Sequence, residues 1–277
     1  MTVVALVSAR SGAVTVSSLA LALAAPKKTV LAELDPAGSS VRAGFLQGHL
    51  DASVGLHRLA TAVRAGSLGS QFATHLVSLD SSVGNRMLLP GLTDPAQASA
   101  MAGVWEHLVP AWPVLEQNGF DVVVDAGRVL IESGGLSSAR YPAAVLRRAD
   151  AVLLVVRQSV AGLVTAAPVV EALKRDLAER GTGVEALGLL LVQERKQPTA
   201  SEFAHHLQVP VLAQFDWDAD TARALAHGPD RRGLTMKSVL LRQARSAWES
   251  ITALAARRRA QLHVGGYGPG YQGGLGG

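Results

Sequence analysis

The feature that most constrains this chain is a series of short aliphatic runs with little polar alternation inside them. They fall at Val3–Val7, Val30–Leu34, Met87–Leu89, Val122–Val124, Val152–Val156, Leu187–Val192 and Val209–Leu212. A strand with one wet face alternates apolar and polar residues, whereas a continuous apolar run buries both faces. Most of these runs therefore read as strands covered on both sides. Between them lie segments with helical spacing: Ser17–Ala25, Val54–Ala65, Pro95–Asn118, Ala143–Arg148, Gly162–Arg180, Ser201–Leu207, Ala219–Ala226 and Met236–Leu262. This alternation predicts a three-layer α/β fold with a mostly parallel central sheet and helices on both faces. In such sheets ligands bind at the carboxyl ends of the strands, so the residues just after each run carry the functional information.

Composition narrows the chemistry. The 277 residues include no Cys, which excludes disulfide scaffolds, thiolate metal sites and cysteine nucleophiles. The segment MTVVALVSAR lacks the basic start of a secretory leader, and no apolar stretch reaches the roughly 18–20 residues of a membrane span. These features lead to the expectation of a cytoplasmic protein. The net charge of +4 is unevenly spread. Thr221–His263 holds nine Lys/Arg against two acids, so the rest of the chain is net acidic. The closing GGYGPGYQGGLGG has the composition of a flexible tail, giving an expected division into a domain at 1–262 and a tail at 263–277.

The first strand runs into Ala-Arg-Ser-Gly-Ala-Val-Thr-Val and then Ser17-Ser18. Small residues and hydroxyls between a strand and a helix suit a phosphate-binding loop, because helix N-terminal amides point at an anion. They equally suit an ordinary βα loop in which Ser17 or Ser18 caps the helix. The second strand ends Ala-Glu-Leu-Asp-Pro-Ala-Gly, and later segments read FDVVVDAGR, ADAVLLVVRQSVAGL, LGLLLVQE and VPVLAQFDWDADTARALAHG.

In order and spacing these segments resemble the MinD/ParA family of deviant Walker ATPases over about residues 2–262. The family's first strand leads into K-G-G-x-G-K-T-T and its second ends D-x-D-P-x-G; a later strand delivers the Walker B Asp. The resemblance implies a P-loop fold binding ATP or ADP with Mg2+. It implies a phosphate loop containing Arg10, Ser11, Gly12, Ala13, Thr15, Val16, Ser17 and Ser18, with Gln193 on the adenine side. Ser17, Asp35 and Asp125 would surround the metal, and Asp35 would orient the attacking water if hydrolysis is retained. Glu33 takes the place of an earlier switch Asp.

The departures matter as much. Aligned on the helix, Thr15 replaces the third loop Gly, Val16 the Walker Lys, and Ser11 the signature Lys. A shifted alignment puts Arg10 at the signature Lys and Thr15 at the Walker Lys. Either way the Walker Lys is absent. Phosphoryl transfer depends on stabilising charge over the β/γ-phosphates, and losing one such stabiliser costs on the order of 10²–10³ in rate. Negligible or very slow hydrolysis is expected.

A lysine-less actinobacterial subgroup, similar to the TadZ/CpaE localisation factors of Tad-type pilus and secretion systems, carries KGSPGVTTTALALAA, LLAExDPAGG and DVLVDxGR. The matching segments here are ARSGAVTVSSLALALAA, VLAELDPAGSS and DVVVDAGR. That resemblance implies a pseudo-ATPase or very weak ATPase that positions a pilus or secretion apparatus, as a homodimer, with a secretion ATPase as partner and recruitment to the membrane or cell pole. Two alternatives stay open: a slow ATPase that partitions DNA or cargo with Arg10 as surrogate cation, and a nucleotide-free interaction module.

His205-His206 has no third ligand near it in sequence, and adjacent helical residues point about 100° apart, so no metal site is expected there. Arg257-Arg258-Arg259 ends a helix whose apolar spacing suits packing on the sheet. A solvated helix end, non-specific DNA contact and peripheral membrane contact are the readings for this run.

Overall fold

The strand β1 (Val3–Ser8) shows why the chain folds as it does. All six of its residues are buried. Val3, Ala5 and Val7 join one hydrophobic cluster, while Val4 and Leu6 join another on the opposite face. The period of two sends alternate side chains to opposite faces of the sheet, so an unbroken aliphatic run needs a helical layer on each. The computed structural model describes residues 1–10, 13–80, 84–181, 183–194, 198–230 and 234–265, with side chains through Ala260.

After β1 come α1 (Val14–Ala24), β2 (Lys28–Glu33), α2 (Ser40–Ala43), α3 (Leu56–Arg64), α4 (Leu68–Gln71), β3 (Val77–Ser78) and β4 (Arg86–Leu89). Then follow α5 (Trp105–Leu108), α6 (Pro113–Gln117), β5 (Phe120–Arg128), the hairpin strands β6 (Ile131–Glu132) and β7 (Gly135–Leu136), and α7 (Ala143–Arg148). The last third holds β8 (Ala151–Arg157), α8 (Val160–Arg180), β9 (Leu187–Val192), α9 (Ala200–Leu207), β10 (Val211–Phe215), α10 (Ala219–His227) and α11 (Val239–Gly265).

Eight strands form one sheet in the order β10-β9-β8-β1-β5-β2-β4-β3. Every pairing is parallel except β3 with β4. β1 lies between β5 and β8, with β2 and β4 beyond β5 and β9 and β10 beyond β8. The chain thus builds one half of the sheet, then crosses β1 to build the other. The crevice at such a reversal, beyond the carboxyl ends of the strands, is where open α/β sheets bind ligands. One cluster packs α3, α5, α7, α8 and α9 on one face, and the other packs α1, α10 and α11 on the opposite face.

All seven aliphatic runs form strands. The last begins later than its apolar run because Pro210 has no N–H, and its carbonyl opens the ladder by accepting from Leu189 N at 2.8 Å. The continuous helix expected over Pro95–Asn118 is instead a 3-10 segment (Pro95–Met101), α5, a short 3-10 turn and α6. Gly103 at φ +77° breaks the first join, and Pro110 and Pro113 mark the starts of later pieces. The apolar spacing still works, since Met101, Trp105, Leu108, Trp112 and Leu115 all reach the core. Helix α11 extends to Gly265, into the stretch assigned to the tail; residues 266–277 lie outside the described residues. No described helix is long and apolar enough to cross a membrane.

Two polar devices hold α1, the helix that follows the loop. Trp248 on α11 donates its indole N–H to Leu21 O at 3.0 Å within the core. Arg86 donates to Leu23 O, Lys27 O and Ala25 O, covering carbonyls that a helix C-terminus leaves unsatisfied. The arginine run on α11 is also structural. Arg258 is 5 % exposed and donates to Ala149 O and Asp150 O at 2.7 and 2.8 Å. Arg259 pairs with Asp150 at 2.7 Å and reaches Met1 O. The run is therefore not simply a solvated helix end: it clasps the starts of β1 and β8. Replacing Arg258 with Ala leaves two carbonyls short of a donor and is predicted to cost about 2–3 kcal/mol, against about 0.5 or less for Arg257→Ala. Urea denaturation of the two variants checks this.

Candidate functional site

The loop after β1 enters α1 earlier than the hydroxyl pattern suggests. Ala13 is the N-cap residue, with φ +21° and no side-chain cap, and its carbonyl accepts from Ser17 N at 2.8 Å. Ser17 and Ser18 therefore sit a full turn inside the helix and neither caps it. Both are buried, and Ser18 Oγ has no hydrogen-bond partner. The capping position holds a residue with a Cβ in the left-handed region, where glycine is at least cost. Ser11 and Gly12 lie outside the described residues. From Ala13 to Ser18 the loop and first turns carry no cation.

The helix phase decides which hydroxyl faces the acids. Thr15 lines a hollow of about 400 Å³ together with Asp35, Gly127 and Arg128, whereas Ser17 lines a separate hollow toward β9 and β10. Ser17 does not line the hollow of Asp35, whereas Thr15 does and also reaches Asp125. Asp125 sits on β5 with 0 % exposure. Its Oδ1 accepts from Gly127 N at 3.0 Å, while Oδ2 has no hydrogen-bond partner. Burial, then the charges of Glu33 and Asp35, push its carboxyl from 3.8 up to about 7, and the nearby Thr15 hydroxyl opposes the rise. Asp35 accepts from Ala37 N at 2.8 Å, and burial raises its carboxyl too. Its carboxylate lies where a Cβ on Gly127 would stand, about 2.1 Å away, so only glycine fits there. The DAGR motif is thereby explained: Asp125 faces the loop and Gly127 makes room for Asp35.

Glu33 is anchored by both neighbouring segments. It is buried and accepts from Ser39 Oγ at 2.5 Å, Val41 N at 2.9 Å and Gly91 N at 3.1 Å. It ties the segment after β2 to the segment after β4. Tyr141, which the sequence did not single out, is fully buried with its hydroxyl unpartnered, and the charges of Asp35 and Asp125 help hold that hydroxyl protonated. It lies far from both acids in sequence, and no local pattern marks it.

Gln193 is half-buried and its backbone N–H bonds Phe215 O at 2.7 Å. Its neighbours Val192 and Glu194 line hollows on two sides of Ala13. The hollow beside α10 is lined by Val16, Val192, Phe215 and Leu240, with Trp217 (67 % exposed), Arg157, Asp216 and Arg223 among its other residues. Arg10 lines a smaller hollow near the start of α8 with Arg157 and Glu194.

Hard oxygen donors, one of them orphaned and buried, suit Mg2+, which keeps several waters and takes few protein ligands. Among the described residues no group of three or more His, Asp or Glu is arranged to hold a metal by itself, and this includes His205-His206. Asp35, Asp125 and Thr15 fit a cation that shares its ligands with a bound phosphate.

The pH dependence follows from Asp125. The folded protein keeps a proton on this carboxyl that the unfolded chain releases between about pH 4 and 7. Its contribution to stability is therefore present in acid, falls as pH rises through that window and levels off above it. Asp125→Asn should lose less stability than the parent between about pH 5 and pH 8, by on the order of 2 kcal/mol. Denaturant titrations at both pH values, without divalent cation, measure the difference.

No protein-family model matches the chain, and no curated protein sequence matches it either. Solved structures do. MinD from Pyrococcus horikoshii OT3, complexed with Mg-ADP, is similar over 93% of this chain and 98% of its own, with a TM-score of 0.65 and 18% identity. A ParA family ATPase from Chlorobium tepidum TLS covers 89% and 98%, with a TM-score of 0.63 and 17% identity. The MinC:MinD complex of Aquifex aeolicus gives 94% and 96%, with a TM-score of 0.55 and 17% identity. The chain therefore has the P-loop fold shared by MinD and ParA ATPases.

Proposed function

We propose that this protein binds a purine nucleotide with Mg2+ across the carboxyl edge of its sheet and hydrolyses it poorly or not at all, acting as a positioning factor. The observation that carries this reading is the combination at the start of α1. The acids Asp35 and Asp125 converge on Thr15, while Ala13 to Ser18 offer no cation for the phosphates. A pocket that kept its metal-side carboxylates but lost its lysine suits binding better than turnover.

In this reading Thr15, Asp35 and Asp125 hold the hydrated Mg2+, and the amides at the start of α1 meet phosphate oxygens. The apolar hollow under Trp217 takes the base. Mg2+ would supply charge neutralisation, and Asp125 would give up its proton when the cation binds. The similarity to a MinD structure holding Mg-ADP supports the ligand class.

The cellular role is a further step. Localising a pilus or secretion apparatus with a secretion ATPase as partner rests on the motif resemblance of the lysine-less loop. Homodimer formation is supported by Val160 and Val164, each 66 % exposed near the site at the start of α8. Arg258 and Arg259 are engaged by the strand starts, which favours a protein partner over lipid or DNA for the basic end of the chain.

Trp217 gives a direct test, because Trp105, Trp112 and Trp248 are buried. Adding Mg-ATP or Mg-ADP should change its emission saturably at micromolar ligand, with matching heat in calorimetry. Asp125→Ala should abolish both. Turnover should lie roughly 10²–10³ below that of an intact lysine loop. No saturable signal by either method would favour a nucleotide-free module. Robust hydrolysis lost in Arg10→Ala would favour an active partitioning ATPase.

A further inference from the structure

Four arginines lie around Ala13, and their placement differs. Arg10 lines the hollow beside α8, Arg128 the hollow holding Asp35, and Arg223 the hollow beside α10. Arg157 lines both the α8 and the α10 hollows, which meet at Ala13. It is the last residue of β8, the strand paired directly with β1. The backbone there is a regular ladder, with Arg157 in register with Val192, so the position of the guanidinium's stem is fixed by the sheet. Its head pairs with Glu194 at 2.5 Å, just beyond the end of β9. Arg223, by contrast, pairs with Asp220 on its own helix at 3.1 Å.

We propose that Arg157 is the cation that replaces the missing loop lysine, and that Glu194 holds it until a polyphosphate arrives and takes its place. The inference rests on the nucleotide reading above and names its phosphate-binding residue and its internal competitor. A guanidinium presents a planar fork of donors that matches phosphate as well as carboxylate. The Arg157–Glu194 pair is half-exposed, with side-chain exposures of 57% and 31%. Such pairs are weak, and a phosphate carrying more charge can displace the carboxylate. Glu194 keeps the Arg157 guanidinium paired in the ligand-free protein. The charge then comes from a strand end on the far side of the loop from Asp35. It can neutralise bound phosphate, but it does not arise from the helix start where the loop lysine would. This accounts for a site that binds without efficient turnover.

Calorimetric titration of Mg-ADP and Mg-ATP into the full chain tests this. Arg157→Gln should weaken both by roughly 10- to 100-fold, the worth of a charged hydrogen bond. Glu194→Gln should tighten both by roughly 2- to 5-fold, the worth of an exposed ion pair released. The double variant should bind no more tightly than Arg157→Gln. Arg64→Gln, the same charge change at an exposed position of α3, should match the parent, and thermal melts should show all four variants folded. Parent-like binding by Arg157→Gln, or weaker binding by Glu194→Gln, overturns the inference while leaving the nucleotide reading intact. A parent protein that binds neither nucleotide overturns both.

Discussion

Burial of β1 on both faces is the constraint from which the rest of the molecule follows. A strand of short aliphatic residues cannot lie at a wet surface, so α1, α10 and α11 cover one side and α3, α5, α7, α8 and α9 the other. Because β1 also sits where the sheet changes direction, the loop leaving it opens into the crevice between the two halves. The site is thus a consequence of the sheet order. The packing that stabilises the sheet leaves the loop edge free for a ligand.

That edge is unbalanced in charge. Glu33 ends β2, Asp35 follows it and Asp125 lies beside Glu33 on β5, and burial raises all three carboxyls. Glu33 is satisfied by a hydroxyl and two amides, but Asp125 retains a bare Oδ2. Proteins rarely keep a buried, unpartnered carboxylate oxygen, because its desolvation has no compensation. The strain is relieved by a proton or by a cation, and both remedies are consistent with a site whose occupancy changes. Arg128 shares the hollow of Asp35, while Arg10 and Arg157 stand on the opposite flank of the loop. Carboxylates on the metal side and arginines within reach of the loop are the electrostatic frame a phosphate with its metal requires.

Much of the architecture was legible from residue patterns. Seven of the eight strands of the main sheet follow from aliphatic runs, the exception being the two-residue β3, and the helix Ala143–Arg148 falls where the spacing put it. The errors were local and have local causes. Hydroxyls at Ser17-Ser18 resembled a cap, yet Ala13 starts the helix because buried contacts of α1, from Leu19 to Ala24, fix its phase and length. Two positions along a helix rotate a side chain by about 200°, so Thr15 and Ser17 face different hollows, and sequence spacing alone could not decide which one meets the acids. The arginine run near the end resembled a surface patch because nothing in its own sequence shows the carbonyls of Ala149 and Asp150 waiting for Arg258.

The sequence by itself determined the layer architecture, the absence of a loop lysine and the two carboxylates Asp35 and Asp125 near the carboxyl ends of their aliphatic runs, because each depends on local pattern or on chemical identity. The tertiary structure alone decided which hydroxyl meets Asp125, that Gly127 exists to admit Asp35, that Tyr141 closes the acid cluster, and that Arg157 and Glu194 pair beside the loop. These are contacts between residues far apart in the chain. Their geometry is set by helix phase and strand register, and a linear pattern carries no information about either until the sheet has been assembled.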